Sequence, residues 1–276
     1  MLGQYLITFR EAFEAVLIIS IILAYLAKTG RKSLSRYVWH GVYLSLTLSI
    51  ILGVFVWFIY GVLPKTFQIL FEALTAFIAV IVLSSMIYWM ATKGKHIKEE
   101  VEQRVETVVT RSTTFGLTSI SFIVVFRECI ETVLFLIPFL LNDMMSTIVG
   151  MILGAITSIV FAYAIFVVGV KINIRKFFYF TSILLILLAG GLAGYGTHEL
   201  IEYLKLSGIT LGWLAENAYV LNISSDSPLH HKGFIGSIFA VMFGYTVKAE
   251  WARIIVHGIY IAMVLPPTIS IYRKQE

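Results

Sequence analysis

Charge is scarce in this chain: of 276 residues, 13% are charged and 59% are hydrophobic. A soluble domain carries about a quarter charged and about half apolar residues, so a soluble fold is excluded. A single cysteine, Cys129, leaves no intrachain disulfide to form. There is no GxxxxGK[ST] phosphate loop, so ATP is not the evident energy source. The formal charge is +5, but the basic residues form no single stripe, which removes nucleic acid as a partner. The N-terminus lacks the basic region of a signal peptide, and Arg10, Glu11 and Glu14 interrupt any short apolar core there. The first helix is therefore expected to be retained.

What the chain has in abundance is apolar runs of membrane length. Seven spans are expected: Gln4–Ala27, Tyr37–Val62, Thr66–Ala91, Phe115–Leu141, Thr147–Val170, Phe177–Tyr203 and Glu250–Ile271. The fold class is all-α and polytopic. The loops sort by charge. Lys28, Arg31, Lys32, Arg36, Lys93, Lys95, Lys98, Arg104, Arg111, Lys171, Arg175, Lys176, Arg273 and Lys274 fall on one side, fourteen in all, against Lys65, Lys205, Lys232 and Lys248 on the other. The positive side faces the cytoplasm, which puts the N-terminus outside and the C-terminus inside. Residues 94–110 read as a soluble-looking helix with Ile97, Val101, Val105 and Val108 on one face, expected as a solvated cytoplasmic extension of the third span. The long connection 204–249 is polar, with Phe234–Phe243 expected as a short interfacial helix.

Two apolar spans each contain the same charged hexapeptide pattern. Phe9-Arg10-Glu11-Ala12-Phe13-Glu14 and Phe126-Arg127-Glu128-Cys129-Ile130-Glu131 both read Phe-Arg-Glu-x-x-Glu, 117 residues apart. Ionisable residues at bilayer depth are costly and mark function. The motifs lie in spans one and four, which run in opposite directions. An inverted 3+3 repeat is therefore expected, with residues 1–91 as the first half, 92–114 as a cytoplasmic linker, 115–203 as the second half and span seven added. Transporters built this way hold substrate near mid-membrane at the repeat interface.

At about 100° per residue, Glu11 lies about 100° and Glu14 about 40° from Arg10. Each motif thus offers two carboxylates to one side with a guanidinium beside them. If the faces meet, four carboxylates converge, and in low dielectric they must bind protons, cations or both. Oxygen-only ligation favours a hard cation. Cys129, about 200° from Arg127, faces away and is expected to pack.

Other polar groups suggest a path. Glu72 lies two turns into span three, and His198, Glu199 and Glu202 cluster near the outer end of span six, either as an outer cation-collecting site or as a polar helix end. The small-residue run Ala189–Gly196 suits close helix packing, or backbone carbonyls that line a pore, with packing the favoured reading. His230-His231 reads as exposed loop histidine.

Paired Arg-Glu-x-x-Glu motifs in the first and fourth of seven helices, with the Gly-rich approach to His198-Glu199 and Phe243-Gly244-Tyr245-Thr246 before the last span, resemble the oxidase-dependent iron transporters, or iron permeases. The resemblance covers essentially the whole chain. It implies import of iron across the cell membrane, as ferric ion after oxidation by an outer-face oxidase or with a periplasmic delivery protein. It implies Glu11, Glu14, Glu128 and Glu131 as iron ligands, with Arg10 and Arg127 required beside them, and no cofactor beyond the transported iron. Three alternatives stand beside this reading. A permease for another divalent metal fits the same donors. A cation/proton antiporter needs few acids and gives no reason for doubled motifs. A membrane enzyme with a carboxylate-bound metal would want Glu-x-x-His ligands, which both motifs lack.

Overall fold

The computed structural model describes residues 1–93, 97–110, 114–169, 173–209, 211–224, 227–230 and 234–274. Nine helices form among them: α1 (Leu2–Lys28), α2 (Ser35–Val62), α3 (Lys65–Lys93), α4 (Ile97–Thr110), α5 (Thr114–Asn142), α6 (Met144–Phe166), α7 (Ile174–Leu206), α8 (Phe234–Phe243) and α9 (Trp251–Lys274). Two short strands, β1 (Asn217–Val220) and β2 (Lys248–Glu250), pair antiparallel with Asn217 opposite Glu250. That ribbon is a small addition to the all-α expectation.

Local chemistry explains the boundaries. Gly30 sits at φ +74° after α1, and Gly30 N and Arg31 N donate to the carbonyls of Ala27 and Leu26. Gly208, at φ +79°, closes α7 in the same way through Lys205 and Leu204. In both, glycine takes the left-handed position that lets two orphan carbonyls find donors. Leu63 is extended at ψ 140°, as the residue before Pro64 must be, and this separates α2 from α3. Asp143 caps α6 through Ser146 N at 3.1 Å.

Three pairings dominate the packing: α3 with α7, α1 with α6, and α2 with α5. α1 and α5 meet at the centre, and α9 lies against α7 and α3. One apolar cluster joins α3, α7 and α9 around Leu83, Ile87, Leu185 and Ile186. The other runs from Phe13 and Ile22 of α1 to Leu117 of α5 and Phe178 of α7. Outward faces are apolar instead of charged: Ile50, Val54, Phe55 and Phe58 of α2 are all more than half exposed. A soluble monomer rarely exposes such a continuous apolar face. Among the described residues, α2, α3, α6, α7 and α9 are long and apolar enough to cross a membrane. α1 and α5 have the length, 27 and 29 residues, but each carries the three charges of its motif in mid-helix.

Two expectations are corrected. α4 is not a solvated extension: Val105 and Val109 are buried in the second cluster against α1 and α5. Its apolar stripe therefore has a protein surface to cover, and Val109 takes part where Val108 is only partly buried. Glu250, read as the first residue of the last span, ends β2 instead, and the helix starts at Trp251. Gly94, Lys95, His96, Arg111, Lys171, His231 and Lys232 lie outside the described residues.

Candidate functional site

The motifs stay helical because neither contains a residue that opposes helix, and each arginine pairs with the two acids of its own motif. Arg10 Nη1 donates to Glu11 Oε1 at 2.8 Å and to Met86 Sδ of α3 at 2.9 Å. Arg10 Nη2 lies 2.6 Å from Glu14 Oε1, an ion pair without an aligned hydrogen bond. Arg127 Nη2 donates to Glu128 Oε1 at 2.6 Å, and Arg127 Nε stands 3.7 Å from Glu131 Oε1. Both pairs follow the spacing of the pattern, with i,i+1 and i,i+4 partners for each arginine.

The two helices bring the motifs together. One carboxylate oxygen from each of Glu11, Glu128 and Glu131 lies within 4.8 Å of the others. Glu14 is not in that triad; it is taken up by Arg10, though it remains within Coulombic range of Glu128 and Arg127. Each triad acid also keeps one buried oxygen, Oε2, without a hydrogen-bond partner. Buried polar oxygens are nearly always satisfied, so three converging acids, each with one unpartnered oxygen, form a donor set suited to a hard cation. Four carboxylates against two guanidinium groups leave a formal deficit of two positive charges when all are ionised.

The halves differ in exposure. The Arg10 side chain is 1% exposed and that of Arg127 is 47% exposed. The Arg127 guanidinium sits over the Trp89 ring of α3, 5.3 Å from its centroid.

The other predicted residues assemble elsewhere. Fourteen residues separate Glu72 from Met86 on α3, about 21 Å of helical rise. Glu72 accepts hydrogen bonds from Tyr60 of α2 at 2.6 Å and from Tyr195 of α7. His198 Nδ1 lies 2.8 Å from Glu250 Oε1, and its Nε2 lies 4.0 Å from Glu202. Glu199 is within Coulombic range of Glu72, Glu202 and Arg253. These groups form a second polar cluster near the C-terminal end of α7. The Gly-rich run packs: a Cβ at Gly190 would meet His257, at Gly194 Arg253, and at Gly196 Ala73 and Ala76. Cys129 packs beside Ser49.

The sequence profile of the iron permease FTR1 family matches residues 1–273. The chain belongs to that family. An uncharacterized protein of Archaeoglobus fulgidus is 42% identical over 265 residues, covering 96% of this chain and 93% of its own. The ferrous iron permease EfeU of Escherichia coli O6:H1 is 31% identical over 275 residues, 97% of this chain and 96% of that protein. EfeU of Yersinia pestis is also 31% identical, covering 97% and 94%. No solved structure matches. This FTR1-family protein is thus a multi-pass membrane transporter and not an enzyme.

Several polar partners in this permease were not legible in its sequence. Met86 and Trp89 follow Ser84-Ser85 in an otherwise apolar span, and nothing local marks them as neighbours of the arginines. Tyr60 and Tyr195 look like interfacial aromatics until α2, α3 and α7 bring them to Glu72. Glu250 and Arg253 carried a usable signal, being charges at the start of a span, but the partners they find on α7, His198 for Glu250 and Glu199 for Arg253, are not marked by it.

Proposed function

We propose that the protein imports iron through an intramembrane carboxylate site in which Glu11, Glu128 and Glu131 bind the cation, Glu14 exchanges between Arg10 and the cation, and Arg10 and Arg127 orient the acids. The reading rests above all on the meeting of Glu11, Glu128 and Glu131 within 4.8 Å, each with an unpartnered buried oxygen. A structural pair of Arg–Glu bridges needs neither the extra acids nor their convergence. A di- or trivalent ion supplies the missing positive charge, which a buried set of carboxylates requires.

Seven spans, an outside N-terminus and an inverted repeat belong to the same reading. A correspondence between the halves supports it. A Cβ at Gly41 of α2 would meet Thr118 O, Ser121 Cβ and Phe122 N of α5, while one at Gly150 of α6 would meet Met1 O, Gln4 Cβ and Tyr5 N of α1. The three contacted positions differ by 117 in every case, the spacing of the two motifs. Residues 1–91 and 115–203 then form the halves, 92–114 the cytoplasmic linker and 204–249 an outer connection. The cluster of Glu72, His198, Glu199 and Glu202 serves as an outer cation station, in a chain resident in the cytoplasmic membrane.

Hard oxygen donors favour ferric ion delivered by an outer-face oxidase or binding protein. Ferrous ion is the second reading, favoured by the names of the EfeU relatives. Uptake of radio-iron into sealed proteoliposomes tests both, with iron offered as Fe²⁺ under ascorbate or as ferric citrate, and with manganese and zinc as competitors. Glu14→Ala and Glu131→Ala should each abolish uptake. Uptake unaffected by either would reduce the motifs to structural ion pairs.

A further inference from the structure

A cleft of about 260 Å³ opens between the start of α7 and the end of α9. Asn173, Arg175, Lys176, Tyr179, Tyr272 and Arg273 line it. Three of the six carry positive charge and none carries negative charge. The cleft is built from two helices that pack along their length, so its shape is fixed by tertiary structure. Arg175 Nη2 donates to the Tyr272 carbonyl, which ties the end of α9 to α7. Asn173 Oδ1 accepts from Lys176 N at 3.1 Å and sets the first turn of α7. The rings of Tyr179 and Tyr272 stack edge to face, 5.0 Å between centroids, and form an apolar wall.

We propose that this cleft binds a phosphate group, carried by an anionic phospholipid or free in solution. Arginine forks match phosphate oxygens bidentately, and lysine adds a mobile charge. Basic pockets between spanning helices at the cytoplasmic boundary suit lipid headgroups. A lipid would set its phosphate among Arg175, Lys176 and Arg273 and run its chains along the apolar outer faces of α7 and α9, where Phe180 and Met263 are more than 60% exposed. The cytoplasmic placement rests on the topology proposed above; the binding itself does not, and neither depends on the iron site.

Thermal unfolding of the full-length protein in detergent micelles tests the assignment, with phosphatidylglycerol, phosphatidylcholine or inorganic phosphate added in turn. Phosphatidylglycerol should raise the midpoint by about 3–5 °C at saturation, and phosphatidylcholine should not. The double variant Lys176→Gln/Arg273→Gln should lose that rise. Arg175 is left in place because it also holds α9. A control variant with the same charge change at the end of α1 and just after it, Lys28→Gln/Lys32→Gln, should keep the rise. Native mass spectrometry should count one phosphatidylglycerol fewer on the double variant. An equal response to inorganic phosphate identifies free anion as the ligand, and its absence identifies the lipid. The proposal is overturned if wild type does not discriminate phosphatidylglycerol from phosphatidylcholine, if the double variant keeps the rise, or if the control variant loses the rise as fully as the double variant.

Discussion

Arg10 and Arg127 occupy equivalent places in one pattern but meet different surroundings. Arg10 is sealed among Glu11, Glu14 and Met86, whereas Arg127 is half exposed and rests on Trp89. A lysine at position 10 keeps the charge but cannot reach two carboxylates with a rigid fork. Arg10→Lys should therefore weaken iron uptake affinity about 10–100-fold, the usual cost of losing a group that orients metal-binding residues. Arg127→Lys should cost distinctly less, because its half-exposed charge is already screened by solvent and its Glu131 contact is long, at 3.7 Å. Concentration series of radio-iron uptake would reveal a reversed order and so contradict the assignment. Cys129 packs beside Ser49 and against the apolar cluster. Cys129→Ala should leave uptake rates within about twofold of wild type, since a small core change at this site costs about 1 kcal/mol of stability or less and removes no ligand.

At the scale of the elements, small residues decide which helices meet. Gly41, Ser45 and Ser49 form the buried stripe of α2, and Gly150, Gly154 and Ser158 that of α6. Without a hydrophobic driving force between helices in lipid, close backbone approach is what holds them together. A Cβ at Gly154 would stand 2.7 Å from Tyr5 O, and at Gly41 2.5 Å from Thr118 O, both backbone atoms that cannot swing aside. Gly41→Ala and Gly154→Ala should each destabilise the folded protein by about 1–3 kcal/mol. Gly258→Ala, where nothing lies within 4 Å of a Cβ, should be neutral or slightly stabilising. Unfolding midpoints of the purified variants would separate the two classes, and equal shifts at all three positions would refute the packing account. The same stripes position the chemistry, since α6 and α2 hold α1 and α5 from behind while their motifs face each other.

For the whole molecule, the charge bias across the loops predicts which ends face the cytoplasm. In a Cys129→Ala background, Lys65→Cys should react with a membrane-impermeant thiol reagent added to intact cells, and Ser33→Cys should react only after the membrane is opened. Both positions are exposed and lie in adjacent turns on opposite sides of the predicted membrane. Labelling of Ser33→Cys in intact cells would reverse the topology, and with it the direction of transport.

The fold was legible because lipid imposes long apolar helices, which show in composition and run length. Span limits fell within a few residues of the helices from α1 to α9, and Phe234–Phe243 matched α8. The candidate site was legible in part because charge stands out against apolar sequence. The repeated pattern marked the six motif residues, and helical periodicity put each arginine beside its two acids. Tertiary structure alone decided that Glu11, and not Glu14, joins Glu128 and Glu131, that Met86 and Trp89 complete the surroundings of the arginines, and that α4 docks against α1 and α5. Those outcomes depend on which helices approach and at what rotation. Pairwise packing of small stripes sets both, and partners on different helices, 76 residues apart for Arg10 and Met86 and 38 for Arg127 and Trp89, leave no periodic trace of one another in the chain.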